Sequence, residues 1–560
     1  MSDAPLTTPK AVEAPERLLP TLTAEQLARV AMRGRRRTTA QGEVLFEPGE
    51  KAVPTFVVVS GELQVVLPTR RPETVILTYG PGQFSGEVNA INGRPAIARL
   101  RVTVAGEVIQ LEHEQLVSLI QTDAELGEIV MRALILRRVA LIAGELGDVV
   151  VVGSTHNPGT LRVKEFLTRN GHPFHYLDLD RDREAQELLD RFQIGLADIP
   201  VVICRDRAVL RDPTNAQVAD CLGFNEEIDQ SHVSDLLIVG AGPAGLAAAV
   251  YAASEGLDVI VFESDLPGGQ AGSSSRIENY LGFPTGISGL ELTGRAYTQA
   301  LKFGAQIVVA KCARRLACEG GRYAVELADG ARIRARTVVI ATGAQYRKPG
   351  LENLASFEGA GVYYGATAME AQLCAGADVV VVGGGNSAGQ AAVFLASTAR
   401  RVHVLVRGAG LADTMSRYLI RRIEENPAIE LRTQTQLVAL EGNRSLQRVR
   451  WRDDQTGRVE DHEIGHVFIM AGALPNTRWL SGCVAVDGNG FVKTGTDLSA
   501  DELATWKWPL ARSPYLLETS RPGIFAVGDV RGGNVKRVAS AVGEGSIAVS
   551  FVHQVLRAAS

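Results

Sequence analysis

The chain has 560 residues, 46% of them hydrophobic, and 58 basic against 63 acidic side chains leave a net charge of -5. That length is too great for one core and suggests roughly three or four domains. With no long run of either charge, the composition gives no reason to expect nucleic acid or an anionic membrane as a partner.

Residues 1–19 hold no apolar stretch suited to a signal peptide. No uninterrupted apolar run approaches the roughly 18 residues of a membrane span, so a cytoplasmic protein is expected. The densest basic cluster, Arg33-Gly-Arg-Arg-Arg37, reads as a solvated surface turn. Between residues 20 and 147, short β-like runs at Val44-Leu-Phe46, Thr55-Phe-Val-Val-Val-Ser60 and Leu63-Gln-Val-Val-Leu67 are separated by Pro48-Gly49, Gly61 and Gly80-Pro-Gly82. That spacing predicts an antiparallel β-roll, followed by a helical segment from Glu114 through Arg138. With Phe84-Ser-Gly-Glu87 the piece resembles a cyclic-nucleotide-binding domain, matching its phosphate cassette apart from one inserted residue. The resemblance implies an arginine after the cassette proline, yet Pro95 is followed by Ala96, and Arg94 and Arg99 are out of register. An anionic ligand therefore lacks its bidentate clamp.

From 148 to 228 the pattern alternates strand, helix, strand, helix, strand. Its landmarks are Val149-Val-Val-Val-Gly153, Leu161-Arg-Val-Lys-Glu-Phe-Leu167, Phe174-His-Tyr-Leu-Asp-Leu-Asp180 and Ile199-Pro-Val-Val-Ile203. This piece resembles a glutaredoxin-like thioredoxin fold. The resemblance places Pro200 at that family's cis-proline, and Asn157-Pro-Gly-Thr160 where the family carries Cys-Pro-x-Cys. It supports the fold and not the dithiol activity.

Next, Asp235-Leu-Leu-Ile-Val-Gly-Ala-Gly-Pro-Ala-Gly245 runs a buried strand into G-x-G-x-x-G and an alanine-rich helix. The following strand, Asp258-Val-Ile-Val-Phe-Glu263, ends in an acid, which completes a dinucleotide fingerprint. Gly240, Gly242, Pro243, Ala244 and Gly245 admit a pyrophosphate to the helix N-terminus, and Glu263 can accept ribose hydroxyls. The unit recurs at Asp378-Val-Val-Val-Val-Gly-Gly-Gly-Asn-Ser-Ala388, with Gly383, Gly385, Asn386 and Ser387 in the turn, followed by Arg401-Val-His-Val-Leu-Val-Arg407. In the register of Glu263 stands Val406, next to Arg407. An apolar residue beside an arginine removes the ribose acceptor and offers a cation to a 2′-phosphate, which favours NADPH over NADH. Two unlike sites suggest a bound flavin and a visiting nicotinamide. Thr337-Val-Val-Ile-Ala-Thr-Gly-Ala344 and Gly523-Ile-Phe-Ala-Val-Gly-Asp-Val530 are strands with glycine-rich exits, and Asp529 is placed to bond a ribityl hydroxyl.

From about residue 233 onward the chain resembles the low-molecular-weight thioredoxin reductase family. Gly268-Gly-Gln270, Glu278-Asn279, the Ala-Thr-Gly strand, the second fingerprint and the Gly-Asp motif stand in that family's order. The resemblance implies an FAD domain from 233–350 and 475–560, an NAD(P)H domain at 351–474 between them, and a homodimer. To the fingerprint residues it adds Gly269, Gln270, Asn279, Ala341, Thr342, Gly343, Gly528, Asp529, Arg537 and Val538 as cofactor-binding positions. The family's inserted domain begins with Cys-Ala-Thr-Cys. Aligned on Gly361-Val362, this chain has Gly365-Ala-Thr-Ala368, which leaves no catalytic cysteine pair. Thiol–disulfide exchange needs one thiolate to attack and another to resolve.

The six cysteines, at 204, 221, 312, 318, 374 and 483, include no C-x-x-C pair. They are expected as buried thiols, with Cys312 and Cys318 the first candidates for a remote pair. His462-Glu-Ile-Gly-His466 matches H-E-x-x-H, but Gly465 and the strand-like residues that follow remove the helix on which that zinc pattern depends, so no metal is expected. Gly385-Asn-Ser-Ala-Gly389 fits a nucleophile elbow and is better read as part of the second fingerprint. The expected architecture is multidomain: an antiparallel β-roll, a thioredoxin-like α/β domain, and a flavoprotein with two dinucleotide-binding domains that passes hydride from NADPH through FAD to an unknown, non-disulfide acceptor. A flavin-based sensor or scaffold and a ferredoxin-NADP reductase-like route are the alternatives.

Overall fold

The computed structural model describes residues 15–68, 73–155, 157–181, 195, 198–204, 208–319, 322–412, 414–443 and 445–558. Apart from short pieces at 156–158 and 301–304, residues up to 227 form one compact unit and residues from 228 onward a second.

In the first unit, the runs expected as two strands around Gly61 are one strand, Thr55–Leu67. The ladder shifts register around Gly61, so that glycine forms a bulge instead of a turn. Thr55–Leu67 lies between Thr74–Tyr79 and Arg99–Leu111 in an antiparallel sheet that Arg35–Thr39 extends, with Val44–Phe46 also on Arg99–Leu111. Arg33 and Gly34 of the basic cluster lie in a turn as expected, but Arg35–Arg37 are strand. Pairing satisfies its backbone, and Arg36 and Arg37 reach Glu107 at 3.4 Å and Glu43 at 2.8 Å. The expected single helical segment divides into His113–Thr122 and Ala124–Ala143, because Asp123 caps the second helix by accepting from the Leu126 N–H at 3.1 Å. Phe56, Val58, Leu63, Leu100, Val102 and Val108 fill the roll.

The same unit holds a four-stranded sheet ordered His175–Asp178, Val149–Gly153, Val201–Cys204, Ala208–Arg211. The first pair is parallel and the others antiparallel. Helices Pro158–Arg169 and Asn215–Leu222 accompany it, and the Ile199–Pro200 peptide is cis. The second helix of the expected alternation falls on 182–194, outside the described residues.

The second unit is a duplication in structure as in sequence. Gln306–Val308, Val259–Phe262, Val233–Val239, Arg332–Ile340 and Ile524–Ala526 form a parallel sheet, which continues from Arg332–Ile340 into antiparallel Arg322–Leu327 and Ala313–Glu319. Val362–Tyr363, Val467–Ile469, Asp378–Val382, Arg401–Val406 and Ile429–Thr433 form the second parallel sheet, accompanied by a meander of Thr435–Gly442, Leu446–Asp453 and Val459–His462. Val/Ile-rich strands buried on both faces suit such sheets. The chain passes out to the second sheet and back through a ribbon of Ala344–Tyr346 against Ala473–Pro475. No helix among the described residues is long and apolar enough to cross a membrane.

One expectation about sulfur fails. Cys318 and Cys483 are not thiols but a disulfide spanning 165 residues, and Cys312 is exposed and free. Strand Ala313–Glu319 and the turn after Arg478–Leu480 bring the two into one apolar cluster with Cα atoms 6.3 Å apart, within bridging range.

Candidate functional site

Strand Val233–Val239 ends at Gly240, whose φ of 108° is left-handed and whose Cβ, if present, would lie 2.3 Å from Ala341 O. Only glycine fits there. The turn delivers Gly242 as N-cap of Pro243–Ser254, so the first N–H groups of that helix have no intrahelical partner. Among the described residues, chain neighbours aside, no atom approaches within 4 Å of where a Cβ on Gly343 would stand, and a Cβ on Gly242 would meet only Gly269 Cα, at 4.0 Å. These open backbone positions, at the carboxyl edge of a parallel sheet, fit a dinucleotide pyrophosphate.

Around this cradle the other expected residues are held by specific bonds. Buried Glu263 accepts from the Ala241 N–H at 2.7 Å and from the Asp265 N–H at 2.9 Å, so the carboxylate expected to meet a ribose also braces the turn. Thr342 Oγ1 donates to Asn476 O, and Asn476 Nδ2 donates to Thr342 O, both at 2.9 Å; this pair ties the Ala341–Gly343 exit to the returning chain. Gln270 Nε2 donates to Ala344 O. The helical turn Gly528–Val530 sits against Ala244, and the Gly528 N–H donates to Glu544 at 2.7 Å. Burial pushes the Asp529 carboxyl above its ordinary range, while Lys536 pulls it down and Glu544 pushes it up. Arg537 and Val538 stand at the start of the closing helix Val538–Ala558. Asn279 is exposed, beside Glu278, which pairs with Arg422 and lies 3.7 Å from Arg276.

Asn534 carries no sequence signal. Its Oδ1 and Nδ2 are both buried without a hydrogen-bond partner among the described residues, on the segment between Asp529 and the closing helix. No motif marks it, and only a folded chain reveals an unsatisfied amide.

The second turn repeats the first. Gly383 has φ 145° with its would-be Cβ 2.5 Å from Met470 O, and Gly385 is N-cap of Asn386–Leu395. Asn386 Oδ1 accepts from the Ser416 N–H at 2.8 Å. Strand Arg401–Val406 ends in buried Val406, and Arg407 is exposed immediately beyond it.

A cleft beside the second turn is lined by Gln270, Ser273, Tyr346, Gly365, Ser387 and Met470. Burial pushes the Tyr346 hydroxyl, on the crossing ribbon, above its ordinary range, and nearby Ser387 partly offsets this. Gly365 faces Ser273, where a Cβ would stand 3.2 Å from Ser273 Cβ, and Ala366 bridges to Ser274. The Thr367 N–H donates to Glu370 at 2.8 Å as Ala368–Leu373 begins. Six residues beyond Ala368, Cys374 is fully buried, and burial pushes its thiol up to about 11. His462 stacks on Trp451 at 3.6 Å and His466 on Tyr363 at 6.2 Å, so the two rings of the zinc-like pattern pack on different aromatics.

Residues 234–545 match the family model for pyridine nucleotide-disulphide oxidoreductases, and residues 36–123 match that for cyclic nucleotide-binding domains. Over 325 residues the chain is 33% identical to thioredoxin reductase of Ureaplasma parvum, covering 58% of this chain and 96% of that one. It is 32% identical over 325 residues to an alkyl hydroperoxide reductase polypeptide of Escherichia coli, covering 57% and 58% respectively. Among solved structures, thioredoxin reductase of T. acidophilum aligns at TM-score 0.51 and 28% identity over 57% of this chain and 98% of that one.

Proposed function

Because the chain belongs to the pyridine nucleotide-disulphide oxidoreductase family, we propose that it takes hydride from NADPH through FAD to an acceptor other than a protein disulfide. It is a thioredoxin reductase-like flavoprotein oxidoreductase, with FAD and NADPH as its cofactors. The observation that carries the finer reading is Gly365-Ala-Thr-Ala368 at the cleft: where the resemblance puts a relay dithiol, the chain has no sulfur. Cys374 does not replace it, since a buried thiol whose pKa is pushed to about 11 is neither exposed nor a thiolate near neutrality.

Bound FAD supplies a two-electron carrier for the hydride. The rest is positioning by this chain. The free N–H groups at the start of Pro243–Ser254 and Asn386–Leu395 suit pyrophosphates, Asp529 suits a hydroxyl, and exposed Arg407 beside apolar Val406 suits a 2′-phosphate. We read the middle domain as thioredoxin-like on its four-stranded sheet, its cis Ile199–Pro200 and the helix that follows Asn157, and as lacking dithiol chemistry because Asn157-Pro-Gly-Thr160 has no cysteine.

An anaerobic NADPH titration tests the reading. One hydride equivalent per flavin should bleach the yellow protein, and thioredoxin and small disulfides should stay oxidised. If a second equivalent is consumed, Cys483→Ser shows whether Cys318–Cys483 took it. Efficient thioredoxin reduction by the wild-type chain alone would refute the proposal.

A further inference from the structure

Arg94, out of register for a phosphate, turns toward the middle domain. Its guanidinium lies 4.3 Å from the centroid of the Phe224 ring and donates to Asn170 O at 3.4 Å, and the residue is only 7% exposed. Arg138, on Ala124–Ala143, approaches the same place. It pairs with the cassette carboxylate Glu87, donates to Asn89 Oδ1, and reaches Gly171 O at 3.1 Å. Asn89 in turn donates to Pro95 O at 2.8 Å, which fixes the cassette loop.

Asn170 and Gly171 directly follow helix Pro158–Arg169, and Phe224 follows Asn215–Leu222 and its C-cap Gly223. Both arginines therefore face the C-terminal end of a helix, where carbonyls lack helical partners and the macrodipole is negative. The fit is close: a Cβ on Gly223 would come 3.2 Å from Pro95 Cγ. Phe224 is backed by Phe166 at 5.9 Å and by His172 at 5.2 Å, and His172 Nε2 lies 3.1 Å from buried Asp148. The alternative arginine positions are engaged elsewhere. Ala96 is in the roll core, and Arg99 pairs with Glu47 and Glu73.

We propose that the cassette of the roll recognises the middle domain of its own chain: the carbonyl end of helix Pro158–Arg169 and the face of Phe224 stand where an anionic phosphate would, and the roll works as a dock instead of a cyclic-nucleotide receptor. An anion able to reach Arg138 has to compete with that dock and with Glu87.

Hydrogen–deuterium exchange of the full-length protein, read at residues 166–172 and 219–226, tests this independently of the redox reading. Arg94→Ala should speed exchange in both segments by about ten-fold, as expected for loss of a desolvated cation–π contact. Phe224→Leu keeps an apolar side chain of somewhat smaller volume, removes the aromatic face, and should do the same. Flavin absorbance should stay unchanged in both variants. Unchanged exchange in both variants would overturn the proposal. So would saturable binding of cyclic AMP or cyclic GMP to the wild-type chain that leaves exchange of these segments unaltered.

Discussion

The two glycine-rich turns of the second unit share a plan and differ in what encloses them. Each leaves a buried strand through a left-handed glycine backed by a carbonyl, Ala341 O behind Gly240 and Met470 O behind Gly383. At the first, the second strand leads to buried Glu263, bonded back to the turn at Ala241, and the closing helix presses Gly545 against Ala244, where a Cβ would lie 2.2 Å from Ala244 O. At the second, the strand leads to Val406 and exposed Arg407, and among the described residues, chain neighbours aside, no atom lies nearer than 4.0 Å to a would-be Cβ on Gly385. On the proposed function, the enclosed cradle is the resident site and the open one the exchangeable site.

The harshest way to break that comparison is to fill each turn. Gly240→Ala puts a methyl 2.3 Å from a carbonyl at a φ that side chains rarely adopt. A cost on the order of 3 kcal/mol or more follows from strain and overpacking together, and the protein should be recovered without flavin. Gly383→Ala carries a similar clash, at 2.5 Å from Met470 O, yet should leave the protein yellow and unable to be reduced by NADPH. Absorbance spectra and anaerobic reduction read both. Flavin loss in both variants would mean that the turns are not separate sites.

The next test asks whether the first half is held more tightly than the inserted one. Cys318–Cys483 closes a loop that contains the whole of 351–474, and loop-closure entropy for such a length is worth up to about 5 kcal/mol. Cys483→Ser should lower the unfolding midpoint of the flavin half, and reductant should do the same to the wild type while leaving the variant unmoved. Thiol counting under denaturing, non-reducing conditions should give four thiols, those of the cysteines outside this disulfide, 204, 221, 312 and 374. Six would refute the pairing.

What the sequence made legible follows from range. Local patterns, such as the two strand–turn–helix fingerprints and the acid or apolar residue that ends each second strand, depend on neighbours within about 25 residues and stand where the pattern puts them. Contacts between distant segments could not be read. Nothing near Cys318 or Cys483 names its partner, and Asn534 is an ordinary amide until burial leaves it unpaired. Strand status for Arg35–Thr39 came from pairing with Arg99–Leu111, a tertiary effect that overrides the polar composition.

Arg407 sharpens the exchangeable side of the comparison. Arg407→Ala should raise the KM for NADPH by roughly 30-fold, the loss of a charge-assisted bond of about 2 kcal/mol, with the KM for NADH nearly unchanged. Steady-state kinetics with both nucleotides give the answer. Equal effects on the two would place the 2′-phosphate elsewhere.

The smallest effect is expected at Asp529, on the resident side. Burial raises its carboxyl above the unfolded value, and Lys536 partly offsets this. The folded chain then holds the proton more tightly than the unfolded chain, so the contribution to stability is complete below the unfolded value near pH 4 and is lost as pH rises through the folded one. At neutral pH the buried carboxylate is a cost to the flavin-free protein, which the proposed bond from this charged acceptor to a hydroxyl would offset. Asp529→Asn should therefore leave apoprotein stability unchanged at low pH, raise it slightly at neutral pH, and weaken flavin retention. Thermal unfolding of the apoprotein across that range, with flavin release measured alongside, checks both halves of the claim. An apoprotein variant less stable than wild type at neutral pH would show that the carboxylate is stabilised by its surroundings, and that the site is built around a bound charge rather than around the nucleotide it receives.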